Sequence, residues 1–402
     1  MKNVVILDGA RTPMAEYEGG KTGAGTPGGA LRGVSALDLG AVAAKEAIRR
    51  SGVSPEDIRA TFMGNALQTS GDAIYGARHV MLKAGVPLDR PALTLNRLCG
   101  SGIQSVISGV HAIGFGEADT CLVGGMENMS QAPHVIRGAR SGFKLGQGKL
   151  EDSLMVALLD TYCGCYMANT AENIANERGI RRETQDEFAL LSQQRAASAR
   201  ERGVHADEIV PVEVGGRRPY TVTEDDHLKP DTTMEGLARL PAAFGKDGTV
   251  TAGNASGVVD GAAALVIADE EKARAQGWKA RARIRSWAVV GVEPSTMGIG
   301  PVPAIRMALD EAGMQRSDLD LVEVNEAFSA QYLAVEHDLG LDRDRSNVNG
   351  GAIALGHPLA ATGTRLLLTL MYELERRGGG TGVASACIGG GQGIAMIIES
   401  AG

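Results

Sequence analysis

Two cysteines and one histidine stand at glycine-flanked turns, where a side chain can reach a bound substrate. Cys99 lies in Asn-Arg-Leu-Cys-Gly-Ser-Gly at residues 96–102, His357 follows a glycine, and Cys387 precedes Ile-Gly-Gly-Gly. A cysteine thiolate can take up an acyl group, and an imidazole with a pKa near neutrality can accept the thiol proton. A second cysteine can act as an acid or a base when its surroundings adjust its pKa. These residue types indicate acyl-transfer chemistry.

The sequence around Cys99 predicts a strand, a turn and a helix. Residues 91–95, Pro-Ala-Leu-Thr-Leu, are typical of a short buried strand, and the apolar positions from 103 to 113 have helical spacing. We therefore expect Cys99 to lie near the unpaired N–H groups of a helix N-terminus, which favours the thiolate. Gly100 and Gly102 would leave room for an acyl group beside the sulfur.

Each of these residues also has an ordinary structural explanation. A cysteine among apolar residues is usually a small buried side chain, and a histidine at a helix start is usually a cap or a surface residue. Asn325 ends a predicted strand and is followed by Glu-Ala-Phe. An asparagine at such a position is most often a turn residue. Taken singly, these residues do not decide between catalysis and packing; the motifs in which they stand have to do so.

The composition is that of a globular protein. At 402 residues the chain is long enough for two to three domains. Hydrophobic residues make up 44% and charged residues 22%, and the 55 glycines cluster between periodic segments, which predicts tight turns. The net charge of −8 argues against nucleic acid as a partner, so an anionic ligand would need a local basic patch.

Cysteine usage and hydropathy predict a protein of a reducing compartment. The five cysteines are scattered, apart from Cys163 and Cys165, which have no second ligand pair at a spacing that suits a metal. We assign these two a structural role. No apolar run is long enough to cross a membrane, and the chain opens into a predicted strand at residues 3–8 rather than a targeting peptide. We expect a cytoplasmic protein without a metal or a membrane partner.

Two distant stretches of the chain align without a gap. Residues 47–58 correspond to residues 308–319, and in both a predicted helix ends at a glycine and is followed by a strand. Downstream, the helix after Cys99 corresponds to the helix after His357. The chain is therefore predicted to contain a duplicated unit.

The repeat predicts an α/β protein with two similar halves related by a pseudo-twofold axis, with layered sheets and helices. The N-terminal half is assigned to residues 1–128 plus 256–279, and the C-terminal half to residues 280–402. Residues 129–255 are less regular and contain one long predicted helix, from Thr184 to Arg202. Because this excursion is too long for a connection, it is predicted to form an inserted cap.

The motifs of the candidate site resemble those of the thiolases, and the resemblance covers essentially the whole chain. It rests on residues 96–102, on Thr-Ala-Gly-Asn-Ala-Ser-Gly at 251–257, and on Cys-Ile-Gly-Gly-Gly-Gln-Gly at 387–393. In detail the motifs are most similar to those of degradative 3-ketoacyl-CoA thiolases. The resemblance implies a thiolase fold with α-β-α-β-α layers, in which the inserted loop domain covers a coenzyme A (CoA) site.

The resemblance also implies a role for each candidate residue. Cys99 would be the nucleophile, His357 the base that pairs with its thiolate, and Cys387 the acid or base that acts on the acetyl-CoA enolate. One anion hole would consist of the His357 side chain and a water held by Asn325. The other would consist of the backbone N–H groups of Cys99 and Gly389.

CoA is implied as a co-substrate, with no tightly bound cofactor. Ser256 would contact the pantetheine arm, and Lys229 stands where the family commonly has an arginine beside the nucleotide end of CoA. Met167, Met297 and Phe328 would line the acyl and pantetheine pocket, although apolar residues of this kind also form ordinary core. The family further implies a homodimer or a homotetramer.

The sequence departs from the family pattern at four further places. Ala360 replaces a usual glycine and is expected to crowd the backbone near the base, whereas Thr362 replaces a usual serine and keeps its hydroxyl. Tyr166 stands where acetoacetyl-type enzymes tend to have histidine, which argues against a strictly short-chain substrate. The loop at residues 17–30 is longer than usual and has no functional explanation.

Three other functions compete with degradative thiolysis. A biosynthetic acetoacetyl-CoA thiolase would run the same chemistry as a condensation. A ketoacyl synthase shares the fold, but its pattern has a histidine in place of Asn325 and no second cysteine. A non-catalytic acyl-CoA-binding or sterol-binding relative would not need Cys99, His357 and Cys387 together.

Overall fold

Strands and helices alternate along the chain, as the apolar periodicity predicts. The structure is a computed structural model that describes residues 2–17, 29–243, 245 and 247–401. Most of the long loop predicted at residues 17–30 lies outside these ranges. The strands are β1 (Val4–Arg11), β2 (Ala15–Glu16), β3 (Ala60–Gly64), β4 (Ala92–Leu95), β5 (Thr120–Glu127), β6 (His134–Ile136), β7 (Leu150–Asp152), β8 (Leu159–Asp160), β9 (Cys165–Tyr166), β10 (Val212–Val214), β11 (Tyr220–Val222), β12 (Val259–Asp269), β13 (Ala282–Gly291), β14 (Leu321–Val324), β15 (Thr381–Ile388) and β16 (Gln392–Ser400).

Thirteen α-helices connect or cover these strands in the described residues. They are α1 (Ala36–Ser51), α2 (Gly76–Lys83), α3 (Ser101–Gly114), α4 (Ser153–Ala157), α5 (Met167–Arg178), α6 (Arg182–Glu201), α7 (Val204–Glu208), α8 (Met234–Ala238), α9 (Glu270–Gln276), α10 (Pro301–Ala312), α11 (Ser329–Leu339), α12 (Ala352–Leu355) and α13 (Leu359–Arg376). The long helix that was predicted in the insertion is α6, within two residues at its start and one at its end.

The strand order confirms the predicted duplication. The main sheet runs β14-β15-β16-β13-β1-β12-β5-β3-β4. Outward from its centre, each half begins with two antiparallel pairings, β1 with β12 and β12 with β5 in one half, and β13 with β16 and β16 with β15 in the other. A parallel pairing follows in both, β5 with β3 and β15 with β14. The halves meet through a short antiparallel contact between β1 and β13.

The two aligned stretches end their helices in the same way. Helix α1 closes on Gly52 with a φ of 70°, and α10 closes on Gly313 with a φ of 64°. Both values lie in the left-handed region that glycine adopts without steric cost, which explains why a glycine occurs at the same place in each repeat. A short 3₁₀ turn and a parallel strand follow in both halves.

Three hydrophobic layers account for the α-β-α-β-α arrangement. Helices α3 and α13 lie in the middle, where Ile103, Val110, Leu366 and Leu370 share one buried cluster with the inner faces of both halves of the sheet. Helices α1 and α2 cover the outer face of the first half, and α10 and α11 cover that of the second. The central layer is therefore made by the helices that follow the two predicted catalytic turns.

Strand β4 differs from its prediction. The sequence predicted a buried strand, but within the described part of the chain β4 pairs only with β3, on one side, and ends the sheet. Leu93 is 52% exposed. An apolar strand of this kind at a sheet edge is half-buried because it has a neighbour on one side only.

The insertion between β5 and β12 is fixed to the core through a buried ion-pair cluster. Arg11 of β1 donates to Glu208 at 2.7 Å and to both carboxylate oxygens of Asp225 at 2.7 and 2.9 Å. All three side chains are buried, and Asp225 also accepts the backbone N–H of Met14. These ion pairs hold the insertion in one place against β1, because moving it away would leave buried charges without partners.

Candidate active site

Cys99 lies on a strained turn immediately before α3. Leu98 has a φ of 47°, a left-handed conformation that is uncommon for a residue with a side chain. The side chain of Asn96 accepts the Leu98 N–H at 2.9 Å, and Ser101 accepts the Arg97 N–H while donating to the Leu98 carbonyl. Backbone strain that is held by this many bonds is typical of functional sites.

The two glycines after Cys99 have a different role from the one predicted. A Cβ on Gly102 would lie 2.3 Å from the backbone nitrogen of Thr364, and a Cβ on Gly100 would lie 2.5 Å from the side chain of Ile388. The space beside these glycines is filled by α13 and β15 rather than left open for an acyl group. They let the turn of one half approach the other half closely.

The prediction that the surroundings of Cys99 favour its thiolate is wrong. Burial raises the pKa of Cys99 to about 11, and the nearby Glu127 carboxylate also favours the neutral thiol. The backbone N–H of Gly389 donates to the sulfur and acts in the opposite direction. Desolvation of the charged form therefore outweighs the donors at the start of α3.

His357 is held as a neutral imidazole with one defined basic nitrogen. Its Nδ1 lies 2.6 Å from the Thr362 hydroxyl oxygen, and that hydroxyl donates to the Pro358 carbonyl at 3.1 Å. Nδ1 therefore carries the proton, and Nε2 has the free lone pair. Burial, and after it the positive charge of Arg365, lowers the pKa of His357 to about 3. Before reaction, Cys99 is therefore a neutral thiol and His357 a neutral imidazole, and they do not form the expected thiolate–imidazolium pair.

Asn325 lies directly beside the basic nitrogen. Its side-chain amide nitrogen is 3.3 Å from Nε2 of His357, and its backbone N–H donates to the carbonyl of Ser385 at 2.9 Å. The second contact joins the carboxyl end of β14 to β15, two residues before Cys387. Parallel neighbouring strands thus present the amide and the second cysteine at the same edge of the sheet.

Cys387 is fully buried and surrounded by the apolar residues assigned to the pocket. It forms one cluster with Met297 and Ala327, against which Met167 and Phe328 pack. Burial raises the pKa of the Cys387 thiol, and the charge of Cys99 raises it further, so the two sulfurs influence each other directly. The predicted pocket residues therefore lie together around the second cysteine.

Gly389 lies between the two halves of the site. Its N–H reaches the Cys99 sulfur. A Cβ at this position would lie 3.1 Å from the Met167 sulfur and 3.4 Å from the Leu98 side chain. The N–H predicted for an anion hole is thus directed at the Cys99 sulfur, and the absence of a side chain keeps the approach open.

Ser256 lies on a segment that ties the pocket to the base. Its backbone N–H donates to the Ala327 carbonyl at 3.0 Å, and Ala255 forms a single β-bridge with Phe328. The backbone carbonyl of the next residue, Gly257, accepts the backbone N–H of His357 at 2.9 Å. Ser256 is therefore positioned beside the catalytic candidates.

Lys229 lines a separate cleft of about 290 Å³ formed mainly by the insertion. Its ammonium group is bound by Glu16 at 2.6 Å and by the carbonyl of Asp226 at 3.3 Å. Hydrogen bonds from His227, and after it from Lys229, lower the pKa of Glu16 to about 2. The Lys229 charge is therefore shared with a carboxylate that the sequence did not indicate. The cleft also includes Gly253, three residues before Ser256.

Two buried charged residues near the site were not predicted. Glu127, the last residue of β5, accepts the N–H groups of Ala66, Leu67 and Ala360, and burial raises its pKa to about 7. Arg365 is 3.8 Å from Glu323, and its guanidinium has no hydrogen-bond partner among the described residues. Both residues had a sign in the sequence. Glu127 is an acidic residue at the end of an otherwise apolar strand, and Arg365 is a basic residue within an apolar helix.

Ala360 fits without the expected crowding. It is fully buried, and its N–H donates to Glu127 at 3.1 Å. Its methyl group faces Gly64, where an added Cβ would be 3.3 Å away, and its carbonyl faces Gly125, where an added Cβ would be 1.8 Å away. The missing side chains on β3 and β5 provide the space that Ala360 occupies.

Within the described ranges no three His, Cys, Asp or Glu side chains are grouped so that they could hold a metal ion. No helix in the same part of the chain is long and apolar enough to cross a membrane.

A duplicated α/β scaffold that brings a cysteine after a strained turn, a second cysteine and a neutral imidazole together defines an acyl-transferring enzyme. Models of the thiolase N-terminal and C-terminal domains match residues 4–271 and 278–400. The chain therefore belongs to the thiolase family and is an acyltransferase.

Several relatives align over nearly the whole chain. It is 52% identical over 402 residues to human mitochondrial 3-ketoacyl-CoA thiolase, covering 100% of this chain and 99% of the relative. It is 48% identical to Escherichia coli acetyl-CoA acetyltransferase, with 99% of both chains covered. The crystal structure of the human enzyme in complex with CoA matches with a TM-score of 0.95 and 51% identity, over 100% of this chain and 98% of that one.

Proposed function

We propose that this thiolase cleaves 3-ketoacyl-CoA with CoA, giving acetyl-CoA and an acyl-CoA shortened by two carbons, as part of fatty-acid β-oxidation. The observation that carries the proposal is the contact of Cys99 with the Gly389 N–H beside the buried Cys387 thiol. Two thiols at one site serve a reaction that needs both a nucleophile and a proton donor.

In the proposed reaction, Nε2 of His357 takes the Cys99 proton as the sulfur attacks the C3 carbonyl. The bond between C2 and C3 then breaks, the acyl group stays on Cys99 as a thioester, and Cys387 protonates the acetyl-CoA enolate. CoA enters, Cys387 removes its thiol proton, and the CoA sulfur takes the acyl group from Cys99. Cys99 regains its proton from His357.

Charge on the carbonyl oxygens would be stabilised from both halves of the site. After it takes the Cys99 proton, His357 can donate from Nε2, and Asn325, 3.3 Å from that nitrogen, would hold a water beside it. The backbone N–H groups of Cys99 and Gly389 would form the second anion hole. Loss of one such donor typically lowers the rate by about 10²-fold to 10³-fold.

Two variants test the assignment of the sulfurs. Cys99→Ala is expected to abolish both thiolysis and the acyl-enzyme seen by mass spectrometry of the intact protein. Cys387→Ser is expected to keep acylation of Cys99 by acyl-CoA while C–C cleavage stops. Thiolysis by Cys99→Ala would refute the nucleophile, and failure of Cys387→Ser to acylate would refute the second role.

A biosynthetic acetoacetyl-CoA thiolase is the second candidate, favoured by the similarity to acetyl-CoA acetyltransferases. Comparison of kcat/KM for acetoacetyl-CoA with that for longer 3-ketoacyl-CoA substrates separates the two. Higher values for the longer substrates are expected, because Met167, Met297 and Phe328 form an apolar cluster at Cys387. Activity restricted to acetoacetyl-CoA would favour the biosynthetic function.

The proposed enzyme is a homodimer or homotetramer of the cytoplasm, with CoA as co-substrate. Strand β4 supports self-association, because one edge of this apolar strand pairs with no other strand among the described residues. The five free cysteines support a reducing compartment. Light scattering on the purified protein and microscopy of a fluorescent fusion test these two expectations, and a monomer or an organellar signal would contradict them.

A further inference from the structure

Cys163 and Cys165 lie in a hairpin that leads directly into the acyl pocket. Strands β8 and β9 pair through Asp160 with Cys165, and the loop between them ends at Gly164, whose φ is 72°. Gly164 in the left-handed region reverses the chain between the two cysteines. Helix α5 then begins at Met167.

The two thiols of the hairpin contact each other. The Cys165 sulfur donates to the Cys163 carbonyl at 3.6 Å, and the two side chains share a hydrogen bond. Both cysteines are half-buried, whereas Cys121 and Cys387 are fully buried. The hairpin pair is therefore in mutual contact and reachable from solvent, in a way that Cys121 is not.

The hairpin is coupled to the active site through Tyr166 and Met167, the two residues that follow Cys165. Leu159 of β8 pairs with Tyr166, and the Met167 N–H donates to the Leu158 carbonyl at 2.9 Å. Met167 packs on the cluster that surrounds Cys387 and lies against Gly389. A change in the shape of the loop would therefore be transmitted to the wall of the pocket.

We propose that Cys163 and Cys165 form a reversible disulfide that adjusts the acyl pocket to the redox state of the cell. A disulfide oxidant such as glutathione disulfide is attacked by one thiolate, which gives a mixed disulfide and releases one glutathione. The second thiolate displaces the other glutathione, so two thiols lose two protons and two electrons. Glutathione disulfide is reduced to two glutathione molecules.

A disulfide across a single glycine closes a small ring, and its strain makes it easy to reduce. Strained disulfides have higher reduction potentials and are the labile, regulatory ones. Burial, and after it the Cys165 thiol, raises the pKa of Cys163, so exchange is expected to speed up as the pH rises through the alkaline range. The effect on the pocket rests on the proposed function, but the disulfide itself does not.

Peptide mass spectrometry tests the disulfide independently of activity. The full-length protein is equilibrated in buffers with graded ratios of glutathione to glutathione disulfide, then alkylated and cut with trypsin. Trypsin releases residues 150–178, a peptide that contains Cys163 and Cys165 and no other cysteine. The expected product is a peptide lighter by two hydrogens that no longer accepts alkylating agent. A peptide that remains alkylated, or that carries only glutathione, would overturn the proposal.

Kinetics then test the coupling. Oxidised wild type is expected to lose between about 3-fold and 100-fold in kcat/KM for long 3-ketoacyl-CoA, the upper figure being the cost of a misplacement of about 1 Å. A Cys163→Ser/Cys165→Ser variant in the same buffers measures the loss of activity that comes from oxidation of Cys99 alone. Cys121→Ser, which removes a buried cysteine outside the hairpin, is the matched control. Equal losses in wild type and double variant would overturn the coupling, whereas inactivity of every variant would count against the proposed function instead.

Discussion

Replacing Thr362 by valine would isolate the hydrogen bond that orients the His357 imidazole. The Thr362 hydroxyl oxygen lies 2.6 Å from Nδ1 of His357 and has already given its own hydrogen to the Pro358 carbonyl. Valine has nearly the same shape, so the buried side chain is replaced without a cavity. The Nδ1–H group would lose its acceptor at a buried position.

The magnitude follows from when the imidazole becomes charged. With a pKa of about 3, His357 is neutral before the reaction, and its bond to Thr362 is an ordinary one. When it takes the Cys99 proton in the proposed reaction, the bond becomes charge-assisted and contributes about 1.5–3 kcal/mol. The ordinary bond of the free enzyme, worth about 0.5–1.5 kcal/mol, is lost in the same variant, so only the difference of about 1–1.5 kcal/mol slows the reaction. Because about 1.4 kcal/mol corresponds to a tenfold change in rate, kcat/KM should fall by about 5-fold to 13-fold.

The assay is the loss of 3-ketoacyl-CoA absorbance during thiolysis, with Thr362→Ser as the control. Serine keeps the hydroxyl, so it should retain most of the wild-type activity. Thermal unfolding of both variants checks that the site is folded. Wild-type activity in Thr362→Val, or an equal loss in Thr362→Ser, would refute the assignment of the Nδ1 proton.

Three further outcomes are expected. Because the pKa of Cys99 is about 11, its alkylation by iodoacetamide should rise about tenfold per pH unit from neutrality upward, and a plateau below about pH 9 would contradict this. In urea denaturation, Arg11→Met should lose about 3–5 kcal/mol by leaving two buried carboxylates unpaired. Arg49→Met, whose charged side chain is 71% exposed, should unfold at nearly the same urea concentration as the wild type. Gly125→Ala should not yield folded protein, since the methyl group would lie 1.8 Å from the Ala360 carbonyl oxygen.

Features that follow from local chain chemistry could be predicted from the sequence. The glycines that end α1 and α10 occupy the same place in two repeats, and the apolar spacing after Cys99 marks α3. Local pattern was sufficient because helix caps and periodic faces depend on neighbouring residues only. The duplicated sheet followed from the repeat, since the predicted strands after the matched helices had counterparts in the other half.

Features that depend on contacts between distant residues could not be predicted. The charge state of Cys99 depends on burial and on Glu127, and the close approach at Gly102 depends on α13 from the other half. Lys229 is paired with Glu16, more than two hundred residues away. The sequence indicated the kinds of residue at the site, but desolvation and pairing decide which of them carry charge.

The mutual influence of the two sulfurs gives a physical reason for the order of the proposed steps. A negative charge on Cys99 raises the pKa of Cys387, which burial has already raised, so two thiolates in this site would oppose each other. While Cys99 attacks, Cys387 therefore keeps its proton and can give it to the enolate. Acylation then removes the charge from Cys99, and only in that state can Cys387 remain ionised long enough to accept the proton of CoA. In the proposed reaction, this coupling would keep Cys387 protonated until Cys99 is acylated and would let it stay ionised afterwards.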